Sequence, residues 1–182
     1  MRQSFGMLET SEIIEISSYA GQKVSAVMNA RNPTDLARLL GPEQRLLGID
    51  PGEKTLGLAL SDPSRTVATP LRTLTRTTLR ATVKELTELA RTENLGGIVV
   101  GLPVNMDGSE GPAAQSARAL SANLERELRL PTALWDERLS TTAVTRTLLE
   151  ADVSRRRRAE VVDKMAAAYI LQGALDRIRT GG

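Results

Sequence analysis

The sequence predicts an α/β domain built on a mixed five-stranded sheet flanked by helices. Three observations carry that prediction. Three strand-like segments fall close together between residues 46 and 74. Two further short apolar runs, Ile98–Leu102 and Thr132–Trp135, alternate with stretches of helical spacing. A hairpin meander requires antiparallel pairing and strands separated by helices require parallel crossovers, so one sheet must contain both. The 182 residues suffice for one hydrophobic core and a short appendage.

The elements follow in order. Residues 1–44 are expected to form an N-terminal extension with a short helix, and residues 45–179 the folded domain. Residues 1–30 have weak periodicity. Asn32-Pro33-Thr34 looks like a helix start, with Leu36, Leu39 and Leu40 on one side and Gly41-Pro42 as the stop. Leu46–Asp50 is a strand, Pro51-Gly52-Glu53-Lys54 a turn, and Leu56–Ser61 the returning strand of a hairpin. A third strand is expected within Thr66–Leu74, although Pro70 is a poor strand residue.

Leu79, Val83, Leu86 and Ala90 are spaced as one helical face, and Gly96-Gly97 reads as the break that ends this helix. Ile98–Leu102 suits a buried strand. Pro103–Gly111 is a loop, Pro112 suits a first helical turn, and Ala117, Leu120, Leu124 and Leu128 mark a buried face. The fifth strand, Thr132–Trp135, ends at Asp136-Glu137. Ser140 or Thr141 would cap a helix through Ala151, and a last helix spans roughly Ala159–Ile178. This order of elements is the ribonuclease H-like layout.

Composition excludes much chemistry. The chain has no Cys and no His. A Cys nucleophile, a Ser-His-Asp triad, a His general base and the usual zinc sites are therefore ruled out. Hydrolysis would have to rest on carboxylates, hydroxyls, Lys, Arg or a hard metal ion. No apolar run approaches the roughly 18 residues that span a bilayer. Glu9, Glu12 and Glu15 interrupt the only candidate signal segment, so a cytoplasmic protein without membrane attachment is expected.

Charge is uneven: residues 154–182 carry seven Lys/Arg against three Asp/Glu, whereas the remainder carries 17 against 19. The basic end suits either a solvated helix surface or contact with a polyanion. Only four residues are aromatic (Phe5, Tyr19, Trp135 and Tyr169), too few for recognition by repeated base stacking.

Three acids stand out. Asp50 ends the first strand and Glu137 follows the fifth. The carboxyl ends of parallel strands are where α/β sheets hold ligands. Asp163 aligns with Ala166, Ala167, Ile170 and Ala174, an otherwise apolar helical row whose alanines permit close approach to the sheet. A carboxylate there needs a partner, either a nearby Arg or a metal ion shared with Asp50 and Glu137. Three carboxylates suit Mg²⁺ or Mn²⁺. Two such ions about 4 Å apart support phosphodiester hydrolysis without any His. Asp136 is an alternative to Glu137, because adjacent residues of an extended segment point oppositely. Asp107, before Gly108, reads first as a turn former.

Four segments together carry a family resemblance: GIDPGEKTLGLALSD, GLPVNMDGSEG, DERLST and VDKMAAAYILQ. Across about Arg45 to Arg177 the chain resembles the YqgF (RuvX-like) family. That family is named both for Holliday junction resolution and for processing the 5′ end of the small-subunit (pre-16S) ribosomal RNA precursor. The resemblance implies a ribonuclease H-like fold and metal-dependent cleavage, with catalytic, metal-binding roles for Asp50, Glu137 and Asp163. It also carries over Gly52, Gly57 and Lys54, the last as a phosphate contact or simply a solvated turn residue. Members usually have Arg after that Lys. This chain has Thr55, so one cation near the scissile phosphate is missing or is replaced by Arg138.

The GLPVNMDGSEG loop reads as a substrate contact through backbone N–H groups, Asn105 and Ser109, or as a tight connection. Arg155, Arg156, Arg157 and Arg158 are a further phosphate-binding candidate beside a solvated-run reading. The leading expectation is a metal-dependent nuclease acting on structured RNA in ribosome biogenesis. The first alternative is a resolvase of branched DNA junctions. Less favoured are an actin- or sugar-kinase-like ATP-binding phosphotransferase and a non-catalytic RNA-binding module. A resolvase should be a homodimer, whereas an RNA-processing enzyme works equally as a monomer.

Overall fold

The computed structural model describes residues 32–139 and 155–181, with the backbone alone for Leu139 and residues 155–162. The chain order is α1 (Pro33–Leu39), β1 (Arg45–Pro51), β2 (Thr55–Ser61), β3 (Ala68–Thr75), α2 (Leu79–Thr92), β4 (Leu95–Leu102), α3 (Pro112–Leu128), β5 (Thr132–Asp136), a 3-10 turn (Glu137–Leu139) and α4 (Arg155–Thr180). The strands form one sheet in the order β3-β2-β1-β4-β5. The β1–β2 and β2–β3 pairs are antiparallel, and the β1–β4 and β4–β5 pairs are parallel. This is the mixed ribonuclease H-like sheet that the sequence predicts. The helix expected between Ser140 or Thr141 and Ala151 lies outside the described residues.

Strand alternation divides the core into two layers. Leu46, Ala59, Val99, Ala133 and Trp135 meet Ala167, Ile170, Leu171 and Ala174 of α4 on one face. Leu47, Ile49, Leu56, Leu58, Ile98 and Val100 meet Leu86 and Leu89 of α2 and Leu120 and Leu124 of α3 on the other. The small residues of α4 bring its backbone onto the sheet. A β-carbon on Gly48 would lie 2.9 Å from the Ala167 carbonyl oxygen and 2.6 Å from the Leu171 Cβ. Only glycine at that position permits so close an approach.

Several elements depart from the expected pattern. Gly96 and Gly97 do not end a helix; they lie within β4, which begins at Leu95 and is buried throughout. Their missing side chains make room for Leu40, Gln44 and Leu36. The α2 helix instead stops at Glu93, before Asn94 at φ +51°. Its buried residues are Thr82, Leu86 and Leu89, so the inward face is rotated from the Leu79–Val83–Leu86–Ala90 row, and Leu79 is exposed.

In α1, Asn32 caps through Asp35 N, and Leu36 is fully buried in the layer that holds Trp135 and α4. Leu39, expected on the same inner side, is exposed. Arg155–Arg158 form the first turn of α4 rather than a segment preceding it. Pro70 is accommodated because β3 is an edge strand and its register with β2 shifts at that point.

Candidate active site

Asp50 is the last inward residue of β1 on the α4 side, two positions beyond Gly48. It is 5% exposed. Its partner across the β1–β2 ladder is Gly57. A β-carbon on Gly57 would overlap the backbone carbonyl of Asp163. The absence of a side chain at one β2 position therefore lets α4 settle directly beside Asp50. One strand-period earlier, Thr55 donates from Oγ1 to Asp163 Oδ2 at 2.6 Å.

Glu137 comes from the other side. In β5, Ala133 and Trp135 face α4, and Glu137 continues that alternation into the 3-10 turn. Its Oε1 lies 2.6 Å from where a β-carbon on Gly101 would be, and Ile170 Cδ1 of α4 is equally close. Gly101 follows Val100, the partner of Ile49, so it stands next to Asp50 in the β1–β4 ladder. Asp50, Glu137 and Asp163 thus share one face at the carboxyl end of the parallel strands, with Gly57 and Gly101 clearing the space between them.

The three carboxylates share a face but are not drawn into one cage: no group of three acids among the described residues is tight enough to hold a metal ion. Asp163 is turned to Thr55. The donor set nevertheless fits a hard divalent cation, being all carboxylate oxygen on rigid elements.

Asp136 belongs to the other side. It shares parity with Leu134, which packs in the α2/α3 layer. Its carboxylate accepts from Arg138 N at 3.0 Å, Nε at 3.1 Å and Nη2 at 2.7 Å. The Arg138 side-chain hydrogen bonds hold its pKa below the ordinary carboxylate value. Arg138 also donates from Nη1 to the Asn105 carbonyl at 3.4 Å. This arginine is engaged within the protein, bridging the end of β5 to the loop after β4.

That loop is turned on itself. Gly108 N donates to Asn105 O at 2.9 Å, and Asn105 N donates to Ser109 O at 3.0 Å. Asn105 Nδ2 donates to Ser109 Oγ at 2.9 Å, while Ser109 N and Oγ donate to Asp107 Oδ1 at 2.9 and 2.6 Å. Asp107 is a turn former, and Gly108 adopts φ +86°. The Asn105 and Ser109 side chains are therefore committed to loop geometry. Met106 stands at the tip, 92% exposed.

Lys54 is exposed on the turn after Asp50. Arg76 stabilises that turn: its backbone N donates to Lys54 O at 2.9 Å and its Nη1 to Gly52 O at 2.8 Å. Sequence reasoning overlooked Arg76, Gly48 and Gly101. The glycines carried a legible signal, since both sit at inward strand positions where a side chain is expected. The side chains of Arg155, Arg156, Arg157 and Arg158 lie outside the described residues.

A family model described as RuvX, Holliday junction resolvase, matches residues 44–177. A relative from Paramagnetospirillum magneticum is 61% identical over 144 residues, which cover 79% of this chain and 93% of that protein. Another from Methylocella silvestris is 57% identical over 145 residues, covering 80% and 90%. Both carry the provisional name of pre-16S rRNA nuclease. Among solved structures, T. thermophilus RuvC in complex with Holliday junction substrate superposes with a TM-score of 0.50 at 14% identity, covering 75% of this chain and 97% of that one. At that identity the likeness is one of fold.

Proposed function

The chain belongs to the RuvX Holliday junction resolvase family of nucleases, and on that premise we propose that it hydrolyses phosphodiester bonds at the 5′ end of the pre-16S ribosomal RNA precursor, using Mg²⁺ or Mn²⁺. The observation that carries this reading is the meeting of Asp50, Glu137 and Asp163 on one face at the carboxyl end of the parallel strands. The RNA assignment draws on the names of relatives at 61% and 57% identity.

Asp50, Glu137 and Asp163 would hold the metal. A divalent ion bound there supplies an activated water and charge neutralisation at the leaving oxygen. The chain's own contribution is positional. Burial in β1 fixes Asp50, the Gly101 gap receives the Glu137 carboxylate, and Thr55 orients Asp163. Lys54 and the Arg155–Arg158 turn are the proposed phosphate contacts. Asn105, Ser109 and Arg138 act through the shape of the loop rather than as direct ligands of the strand. No helix among the described residues is long and apolar enough to cross a membrane. Work on a ribosomal precursor would be done in the cytoplasm.

The test compares cleavage of a ribosomal RNA precursor and of a four-way DNA junction by wild type and Asp50→Asn. Divalent-dependent cutting of the RNA is expected from the wild type and none from the variant, with both proteins folded. Unaltered cutting by Asp50→Asn would remove the active-site assignment. Preferential, symmetric cutting of the junction would support the resolvase reading that the family description favours.

A further inference from the structure

Across the sheet end from the acids, α2 and α3 leave a cleft of about 200 Å³. Its floor includes Leu56, which pairs with Pro51 in the β1–β2 ladder and follows Thr55, the partner of Asp163. Cleft and acids are therefore the two faces of one strand end. The polar lining comes from Arg76, Thr77, Thr78, Thr82, Ser116 and Asn123, and no carboxylate lines it.

This lining is rich in donors. Thr78 caps α2, its Oγ1 accepting from Ala81 N at 3.2 Å, so its own proton is left to give. The first-turn N–H groups at Leu79 and Arg80 have no carbonyl ahead of them in this 14-residue helix, and Thr78 and Leu79 at its positive end line the cleft. Asn123 Oδ1 accepts from Arg126 Nη2 at 2.9 Å, which leaves the amide N–H groups for another partner. Arg76 adds positive charge and, through its 2.8 Å bond to Gly52 O, ties the cleft to the turn that follows Asp50.

Thr82 lies one turn into α2, its backbone N donating to Thr78 O at 3.1 Å. The residue is 7% exposed and lines the cleft, and its solvent-reached hydroxyl makes no hydrogen bond among the described residues. A hydroxyl that opens onto the cleft is available to an acceptor seated there.

We infer that the cleft is a second phosphate site, taking an uncut backbone phosphate of the strand whose scissile phosphate lies over Asp50, Glu137 and Asp163. The inference rests on the nuclease reading above. A strand crossing the Pro51–Lys54 turn would meet the acids on one side and Arg76 with the α2 N-terminus on the other. Such a contact carries no sequence information but fixes register, deciding which bond reaches the acids.

The test uses hairpin RNAs spanning the precursor's 5′ processing site, each with a single neutral methylphosphonate linkage. In the wild type, one uncut position a few nucleotides from the cut should raise KM roughly tenfold with kcat little changed. In Arg76→Gln, and independently in the rim variant Ser116→Glu, that penalty should shrink to about twofold or less. Amide NMR with inorganic phosphate alone should shift Leu79, Arg80 and Thr82. Shifts seen with RNA but not with inorganic phosphate would assign the site to the polymer backbone. No second sensitive linkage, or one whose penalty is the same in both variants, overturns the inference. Failure of the wild type to cut any RNA would instead defeat the nuclease reading, and phosphate-induced shifts in α2 would still separate the two.

Discussion

Thr55 and Asp163, 108 residues apart in sequence, are joined by a 2.6 Å hydrogen bond from the β2 hydroxyl to the α4 carboxylate. Thr55 thus holds a candidate metal ligand in place. Thr55→Val should cost about 1 kcal/mol of stability. It should also raise the Mg²⁺ concentration for half-maximal cleavage about tenfold or more, as loss of an outer partner does for metal ligands. Mn²⁺ binding by calorimetry without substrate, beside a Mg²⁺ titration of cleavage, checks both. Unchanged metal affinity in both would reduce the bond to a structural contact.

Gly57→Ala should destabilise by about 3 kcal/mol, because the added carbon meets the Asp163 backbone, which cannot swing aside as a side-chain end can. Urea unfolding gives the magnitude. Activity should fall further than stability explains, since α4 must retreat from Asp50. A variant as stable and active as wild type would mean that α4 is not seated on β2.

Arg138→Ala removes the guanidinium bonds to Asp136 and to the Asn105 carbonyl and leaves only the backbone ones. Amide exchange across Asn105–Ser109 should quicken several-fold while exchange in β1 and β4 stays slow. Cleavage should weaken mainly through KM, as expected for a loop that shapes the substrate path. Unchanged loop exchange would return Arg138 to the role of a direct phosphate contact.

Asp62 provides a pH signature. Ser64's side-chain hydrogen bond, followed by backbone N–H groups at Val67 and Thr66, lowers its pKa from 3.8 to about 2. The unfolded chain takes up the proton first, so stability falls as pH falls. The contribution is complete above about pH 4 and is lost on approaching pH 2. Backbone amide shifts of Thr66 and Val67 should titrate with a midpoint near 2, and Asp62→Asn should abolish the transition. A midpoint near 3.8 would show that these bonds do not persist in solution.

How much was legible in the sequence depended on distance along the chain. Asn32 as a cap, Pro112 in a first turn and the Asp107-Gly108 turn all follow from local chemistry and hold as read. The inward row of α4 was also legible, because Ala166, Ala167, Ile170 and Ala174 repeat at helical spacing and are all buried. Gly96-Gly97 misled for the same reason. A glycine pair suggests a break locally, and only Leu36, Leu40 and Gln44, brought in from another element, show why β4 needs it.

The sequence by itself determined the donor chemistry. Without Cys or His, hydrolysis is left to carboxylates, hydroxyls, Lys, Arg or a hard metal ion, and three carboxylates lie at strand and helix positions able to meet. It put Glu137 first with Asp136 as the alternative, and offered Arg138 as a contact to the substrate. Tertiary structure placed the side chains: the Glu137 carboxylate lies beside Gly101 and α4, while Arg138 closes on Asp136 and the loop. It also brought Thr55 to Asp163 and Arg76 to Gly52. Residue type limits which bonds a side chain can make, but which one forms depends on what the fold carries to within about 3 Å.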